Sequence, residues 1–448
     1  MHTISNSVVK KDHAPKMEGR SVYVCDIDKA FAEADKVYTE EFETGYQDQT
    51  YLETQGMMAE PEEGGRMFVH GSMQCAYYVH GAVMRALNCG PADVHVHQDV
   101  TGGGFGAPQA FFAVEMMMDH IAKDLGVDTL EFKEAHLVKQ GDATSTSGKY
   151  HFPVPLPAMV DEVDKACDLR RKHKEYAKPQ TGRYRRGIGF SMHFHGAGFT
   201  GSGERDLIKA VARLHKYKDG TVEILASNGE IGQGLRTTFP KIVAHELNLP
   251  LEKVFYDHPD TSRVPDSGPT VASRSLMTVG ELLRRAAIKL RTEWKDGEDQ
   301  IVEEKFVEPD FMIPFYLDKF RGDAYPTYAW GAQAIEVEVD TYTGIAKILG
   351  AYASFDVGTP MDYNIVMGQM EGGFLQGIGY ASTEFMNYDN KGRIRNNSFS
   401  DYLIPTAVDV PVLNCQLHVE EYPFGPYGAK GAGELPLVGA AKGGNGLW

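Results

Sequence analysis

Positive charge is in short supply: 45 Lys and Arg stand against 62 Asp and Glu, a formal net charge of −17. Phosphate backbones need a basic surface, so no nucleic-acid partner is expected. Cysteine is scarce as well, with five residues (Cys25, Cys75, Cys89, Cys167, Cys415) and no pair at CxxC spacing. That argues against a disulfide framework, a zinc knuckle and an iron–sulfur cluster held by this chain. No apolar run approaches the about 20 residues of a membrane span. The opening MHTISNSVVKKDHAPK lacks a signal-peptide apolar core. No membrane partner is expected, and the cytoplasm is the default location.

Glycine, in contrast, is plentiful at 48 of 448 residues, much of it in short clusters. The length allows two or three domains with real cores. Local patterns predict a mixed α/β chain. Gly71–Gly90 has a helix-like core, and VHVHQDV (94–100) reads as a short strand. Residues 108–126 read as a helix opened by Pro108 and closed by Gly126. The segment 168–187 is strongly basic and reads as a surface connection between two lobes. ARLHKYKDGTVEILAS predicts two strands around Asp219–Gly220, 280–294 a helix, and 295–310 an exposed acidic stretch. A second hairpin is predicted where Ile335, Val337 and Val339 alternate with Glu336 and Glu338. No tandem repeat is legible.

Four clusters stand out: GGGFG at 102–106, GEIGQG at 229–234, GQMEGGFLQGIG at 368–379 and GAKGAGE at 428–434. Glycine lets backbone N–H groups approach a phosphate or a pterin-like ring, and Gln offers both donors and acceptors. One such cluster alone is most simply a tight turn. GGGFG also lacks the βαβ pattern and distal acidic residue that a dinucleotide site needs.

The order HGSMQ, GGGFG, GAPQAFFAVE, GIGFS, GEIGQG, PTVAS, GQMEGGFLQGIG and GAKGAGELPL resembles the molybdenum-binding catalytic subunit of the xanthine dehydrogenase/aldehyde oxidase family. The stretch GIGFSMHFHGAGFTGSGE is most similar to bacterial purine hydroxylases, pointing toward xanthine or hypoxanthine. The resemblance implies an α/β fold of two molybdopterin-binding lobes with the cofactor between them. Residues 1–26 would be a remnant of the N-terminal segment, 27–178 a shortened first cofactor-binding domain and 179–448 the second. The implied cofactor is molybdenum held by molybdopterin, with or without an attached cytosine dinucleotide, and no iron–sulfur or flavin site on this chain. Gln74 would hydrogen-bond the apical oxygen of molybdenum. Phe105, with Gly103, Gly104 and Gly106, would bring backbone amides to the metal site. Gln233, Gly234, Ala272, Ser273 and Gln369 would hold the pterin and its phosphate, with the metal near Gln74, Phe105 and Ala272. Phe190 would pack on a flat substrate ring, and Ser191 would hydrogen-bond it.

Glu434 matches the family's base, which activates water-derived oxygen to attack an electron-poor C–H carbon of a purine, another N-heterocycle or an aldehyde. The electrons would then leave through separate 2Fe-2S and FAD subunits, and a homo-oligomer is left open. The resemblance also implies losses. Near Val24–Asp26 the chain passes from the family's opening straight to the stretch that normally comes after its first domain, so the N-terminal hammerhead domain is missing. GGGFGAPQA reads as two family motifs fused at a shared GFG, without the segment that carries a substrate-binding Glu and Arg. Another family Arg would fall at Gly103. A fork of guanidinium donors is not replaced by glycine. Arg236 and Arg274 read as surface or structural. Two other readings remain: a non-catalytic remnant of the family, and a metal-dependent hydrolase built on the pairs His95/His97 and His193/His195. Carboxylates at hydrolase-like spacing are not evident, so these histidines read as structural or exposed.

Overall fold

The computed structural model describes residues 31–45, 47, 56–62, 64–101 and 109–443, with side chains as far as Gly439. The remnant expected at 1–26 and the cluster Gly103, Gly104, Phe105 and Gly106 lie outside the described residues.

One unit recurs three times: an antiparallel strand pair, a helix, and a strand parallel to the second of the pair. A helix crossover is how a chain returns to lie parallel to a strand it has left. The first unit is β1 (Met57–Pro61), β2 (Met67–Gly71), α1 (Ala76–Leu87) and β3 (Val94–Gln98). Four helices follow: α2 (Gln109–Asp124), α3 (Thr129–Ala135), α4 (Leu156–Cys167) and α5 (Leu169–Tyr176). After the long strand β4 (Tyr184–Ala197), the second unit is β5 (Val211–Lys216), β6 (Val222–Leu225), α6 (Leu235–Leu247) and β7 (Val254–Tyr256). Then come α7 (Gly280–Thr292) and β8 (Gln300–Lys305). The third unit is β9 (Thr327–Asp340), β10 (Ala346–Asp356), α8 (Tyr363–Ser382) and β11 (Leu413–His418). The last helix is α9 (Leu435–Gly443).

Each later unit gains a fourth strand beside its first, β8 on β5 and β4 on β9, both antiparallel. Among the described residues the first unit has no such strand, and all five β1 residues are exposed. The repeat is invisible in the sequence because it conserves strand order and not residues.

Local chemistry explains most elements. Gly220 takes φ +81° at the β5–β6 turn, where the Asp219 carboxylate accepts the Thr221 N–H at 2.9 Å. Gly126 (φ +68°) follows α2, and Asn88 in the left-handed region caps α1. The predicted helix at 280–294 is α7, with Leu282, Leu283, Ala286, Ala287 and Leu290 turned into the core of the second sheet. The acidic stretch read as exposed holds β8, whose Val302 is buried in that core.

The basic run is not a connection. It forms α5 and the start of β4, and its cations find acids: Arg170 meets Glu134 at 2.7 Å, Lys172 meets Glu336 at 2.5 Å and Arg183 meets Asp340 at 2.7 Å. Residues on both sides of position 178 share one core, in which Leu156, Met159 and Val163 of α4 pack with Ile188, Phe190, Trp330 and Ala334. The third sheet is thus covered on one face by α4 and α5 and on the other by α8 and α9. No described helix is long and apolar enough to cross a membrane.

Candidate cofactor and catalytic site

The second and third units face each other across a cavity of about 680 Å³, with Gln74 of the first unit at its edge. This size suits a cofactor or a drug-sized ligand. Gln74, Gln233, Ala272, Ser273, Gln369 and Glu434 all line it. They come from five separate stretches of sequence and from all three units.

Each wall has a local cause. Gln74 lies between β2 and α1. Its Nε2 donates to the Thr270 carbonyl at 3.0 Å, and the Thr270 N–H donates to the Gln74 carbonyl at 3.1 Å, so the first unit is stitched to the second. The GEIGQG loop folds on its own side chains. Gln233 Oε1 accepts the Ile231 N–H at 2.6 Å, and its Nε2 donates to the Gly229 carbonyl at 3.0 Å. Glu230 accepts the Gly232 and Gly234 N–H groups at 2.8 and 2.9 Å, just where α6 begins. Gly234 is the N-cap of α6 at φ +89°, a conformation that disfavours a side chain. Ala272 and Ser273 are both left-handed (φ +55° and +51°), rare for residues with a Cβ and a mark of functional loops. Their N–H groups have no acceptor among the described residues.

GQMEGGFLQGIG proves to be the body of α8 and not a loop. Gly368, Gly372 and Gly373 line the cavity with Gln369 and Gln376, and a Cβ at Gly373 would press on Pro436 at 2.5 Å. Glycine inside a helix costs about 1 kcal/mol relative to alanine, so this bare face needs a reason. Close approach of α9 and of whatever fills the cavity provides one.

GAKGAGE is pinned from below. The buried Lys430 ammonium meets the buried Asp356 carboxylate at 2.5 Å, and the Lys430 N–H donates to the Val357 carbonyl at 2.9 Å. A Cβ at Gly431 would run into the Ser273 carbonyl oxygen, so only glycine lets the two loops touch. Glu434 comes directly before α9. The Ser273 hydroxyl donates to its Oε2 at 3.1 Å, and His195 Nε2 lies 3.4 Å from the same oxygen. The Glu434 side chain keeps 27 % of its exposure, so the site opens to solvent.

Phe190 and Ser191 need correction, because neither lines the cavity. β4 runs down the middle of its sheet, and only its far end approaches Glu434. Four residues of strand separate Ser191 from His195, roughly 13 Å. Phe190 is buried against α4, with the Lys133 ammonium 4.9 Å from its ring centre. Ser191 points to the opposite face, where its hydroxyl donates to the Gly439 carbonyl at 3.1 Å. Sequence reading missed His195, although its position two residues from His193 on a strand already put both rings on one face. It also missed Gln376 and Glu384, which line the cavity. Arg274 and Arg236 fall as expected, the first buried in a structural ion pair and the second exposed near Asp257 and His258.

The histidine pairs do not build a metal site. Among the described residues no group of three or more His, Cys, Asp or Glu could hold an ion. His95 instead meets Asp260 at 2.7 Å, and His97 lies 3.6 Å from the same carboxylate. His193 is fully buried, its Nδ1 3.3 Å from the Ser191 hydroxyl and its Nε2 without a partner. Burial pushes its imidazole down to about 4, with Glu115 opposing the shift. The folded state therefore holds it neutral, and the unfolded chain takes up its proton first as pH falls. Stability should be fully present above about pH 6.5 and decline toward about pH 4, by up to about 3 kcal/mol. Urea unfolding at pH 7 and pH 5 should show this slope, and His193→Gln should flatten it. An equal slope in both proteins would remove His193 as its source.

A molybdopterin cofactor-binding domain profile matches residues 162–311 and 298–411, and a second profile of the same description matches 10–107 and 104–137. The chain is 29 % identical over 375 residues to the xanthine dehydrogenase molybdenum-binding subunit of Escherichia coli O157:H7, covering 75 % of this chain and 49 % of that protein. It is 30 % identical over 358 residues to the aldehyde oxidoreductase of Megalodesulfovibrio gigas, covering 75 % of this chain and 38 % of that one. The chain thus spans less than half the length of these curated relatives. Among solved structures, the aldehyde oxidoreductase from Desulfovibrio gigas superposes with a TM-score of 0.79 at 19 % identity, over 92 % of this chain and 58 % of the other. The Cu,Mo-CO dehydrogenase also reaches 0.79 at 19 % identity, over 94 % and 74 %. Identities this low speak for the fold alone.

Proposed function

Because the chain belongs to the molybdopterin cofactor-binding domain family of the xanthine dehydrogenase/aldehyde oxidase type, we propose that it is a molybdenum hydroxylase acting on a purine, another N-heterocycle or an aldehyde. Electrons would pass to partner subunits that carry iron–sulfur and flavin groups. The observation that supports this most is the convergence of Gln74, Gln233, Ala272, Ser273, Gln369 and Glu434 on one cavity.

The residues fit the cofactor. The cavity has a glycine-lined helix face for a flat ring. The unclaimed N–H groups of Ala272 and Ser273 suit an anionic phosphate oxygen. Gln74 spends one N–H of Nε2 on Thr270 and keeps the other for an oxygen in the cavity. When bound, the cofactor supplies a Lewis-acidic metal that activates water and accepts two electrons. Glu434 Oε2 is held by Ser273, which leaves Oε1 to take the proton from the attacking oxygen.

Expression in a host that makes the molybdenum cofactor tests this reading. Near-equimolar molybdenum and released pterin per chain are expected, followed by turnover in a screen of xanthine, hypoxanthine and aldehydes. A folded chain with neither would sink the proposal. Cofactor without turnover would favour the second reading, a cofactor-binding remnant. The exposed β1 edge and the glycine at 103 motivate that alternative.

A further inference from the structure

We propose that His195 is a positioning residue for Glu434, gripping carboxylate oxygen Oε2 from the strand side while Ser273 grips it from the loop side. This rests on the reading of Glu434 as the base. Glu434 is the last residue before α9, on a segment whose neighbours Gly431 and Gly433 have no side chain to pack around it. A glutamate has several free rotamers there, and ordering them costs entropy at each encounter unless contacts fix one beforehand.

Two groups supply such contacts at Oε2: Ser273 Oγ donates to it at 3.1 Å, and His195 Nε2 lies within ion-pair distance at 3.4 Å. Oε1 has no partner among the described residues. The carboxylate is therefore tied at one oxygen and free at the other. That asymmetry suits a base that must release its proton again, since the accepting oxygen carries no competing donor.

The two anchors stand on stiff supports. His195 pairs with Ala329 within the fourteen-residue register of β4 and β9. The next residue, Gly196, lies directly beneath the Tyr325 ring, where a Cβ would collide with it. Ser273 sits in the left-handed turn that Gly431 closes from the other side. A plain surface histidine would need none of this. His195 keeps only 23 % of its side-chain exposure, and among the described residues no other carboxylate is paired with it.

The contact can be read without cofactor. In the full chain labelled with ¹³C at histidine Cε1, the signal lost in His195→Gln identifies His195. Glu434→Gln should move that signal at fixed pH, because a neutral amide then stands where the carboxylate oxygen faces Nε2. An unmoved signal would overturn the proposal. In protein loaded with molybdenum and pterin, His195→Leu should lower kcat roughly tenfold with KM nearly unchanged, a loss of positioning and not of binding. His195→Gln, which keeps an N–H donor near Nε2, should restore most of kcat. Equal loss in both variants, or none in either, would also overturn it. A loaded chain without any turnover would count against the hydroxylase reading alone, and the NMR signal would then decide the contact by itself.

Discussion

Glu434→Gln is expected to lower turnover about a thousandfold while leaving molybdenum and pterin content unchanged. A positioned general base contributes about 10²–10⁴ to rate, and a thousandfold loss corresponds to about 4 kcal/mol of barrier. Glutamine has nearly the same shape and can still accept the Ser273 hydroxyl bond at the position of Oε2. The loop should keep its place, because its anchors are elsewhere: the Lys430–Asp356 pair and the Gly431–Ser273 contact. What glutamine cannot do is take a proton at the free oxygen. The check is kcat alongside metal and pterin analysis of the same preparation. Retained turnover would show that another group accepts the proton. Lost turnover together with lost cofactor would show that Glu434 shapes the cavity and does not act as a base.

That expectation joins residues the sequence places far apart, and their legibility is uneven for physical reasons. Elements with strong periodicity read well. The Ile335/Val337/Val339 alternation is β9, the Asp219–Gly220 turn joins β5 to β6, and 280–292 is α7. Elements whose character depends on distant partners do not. QIVEEK looks like an exposed acidic run until β5 supplies the neighbour that makes it β8, with Arg213 facing Glu303 at 2.7 Å. The basic run before β4 likewise looks like a linker until the acids of α3, α4 and β9 are brought beside it.

The site shows the same division. Gln74, Gln233, Ser273 and Glu434 are singled out through motif order and line one cavity, but motif order carries position along the chain and nothing about direction in space. Phe190 and Ser191 fail on direction: a strand of fourteen residues spans far more than one cavity, and motif identity does not say which end is at the site. His195 reads as structural together with its partner His193. His193 is buried and held neutral, while the residue two places on lies 3.4 Å from Glu434. Alternation puts both rings on one face, but only the fold shows where that face leaves the core.

The second large effect concerns what holds the left-handed turn in place. Arg274→Met is expected to destabilise the fold by about 3–5 kcal/mol and to abolish cofactor retention. Arg274 is fully buried, and its guanidinium forms a bidentate pair with Glu204, one arm of which measures 2.9 Å. Its Nη1 also donates to the Pro269 carbonyl at 3.0 Å, and Gly268 (φ +80°) packs so closely that a Cβ there would lie 2.9 Å from Nη1. The segment 268–274 therefore wraps around the guanidinium, and Ala272 and Ser273 take their strained conformation at the end of that wrap. Methionine fills similar volume but leaves Glu204 as a buried charge without its partner, the costlier half of a broken pair. Adding Glu204→Leu should recover most of the stability, because an apolar replacement of both members removes the orphaned charge. Cofactor retention should not recover, since nothing then bonds the Pro269 carbonyl or shapes the turn. Urea unfolding and molybdenum content measured on the single and double variants separate the two roles. A single variant within about 1 kcal/mol of the parent would mean that the turn stands without the ion pair, for surface-type changes away from such features rarely exceed that range.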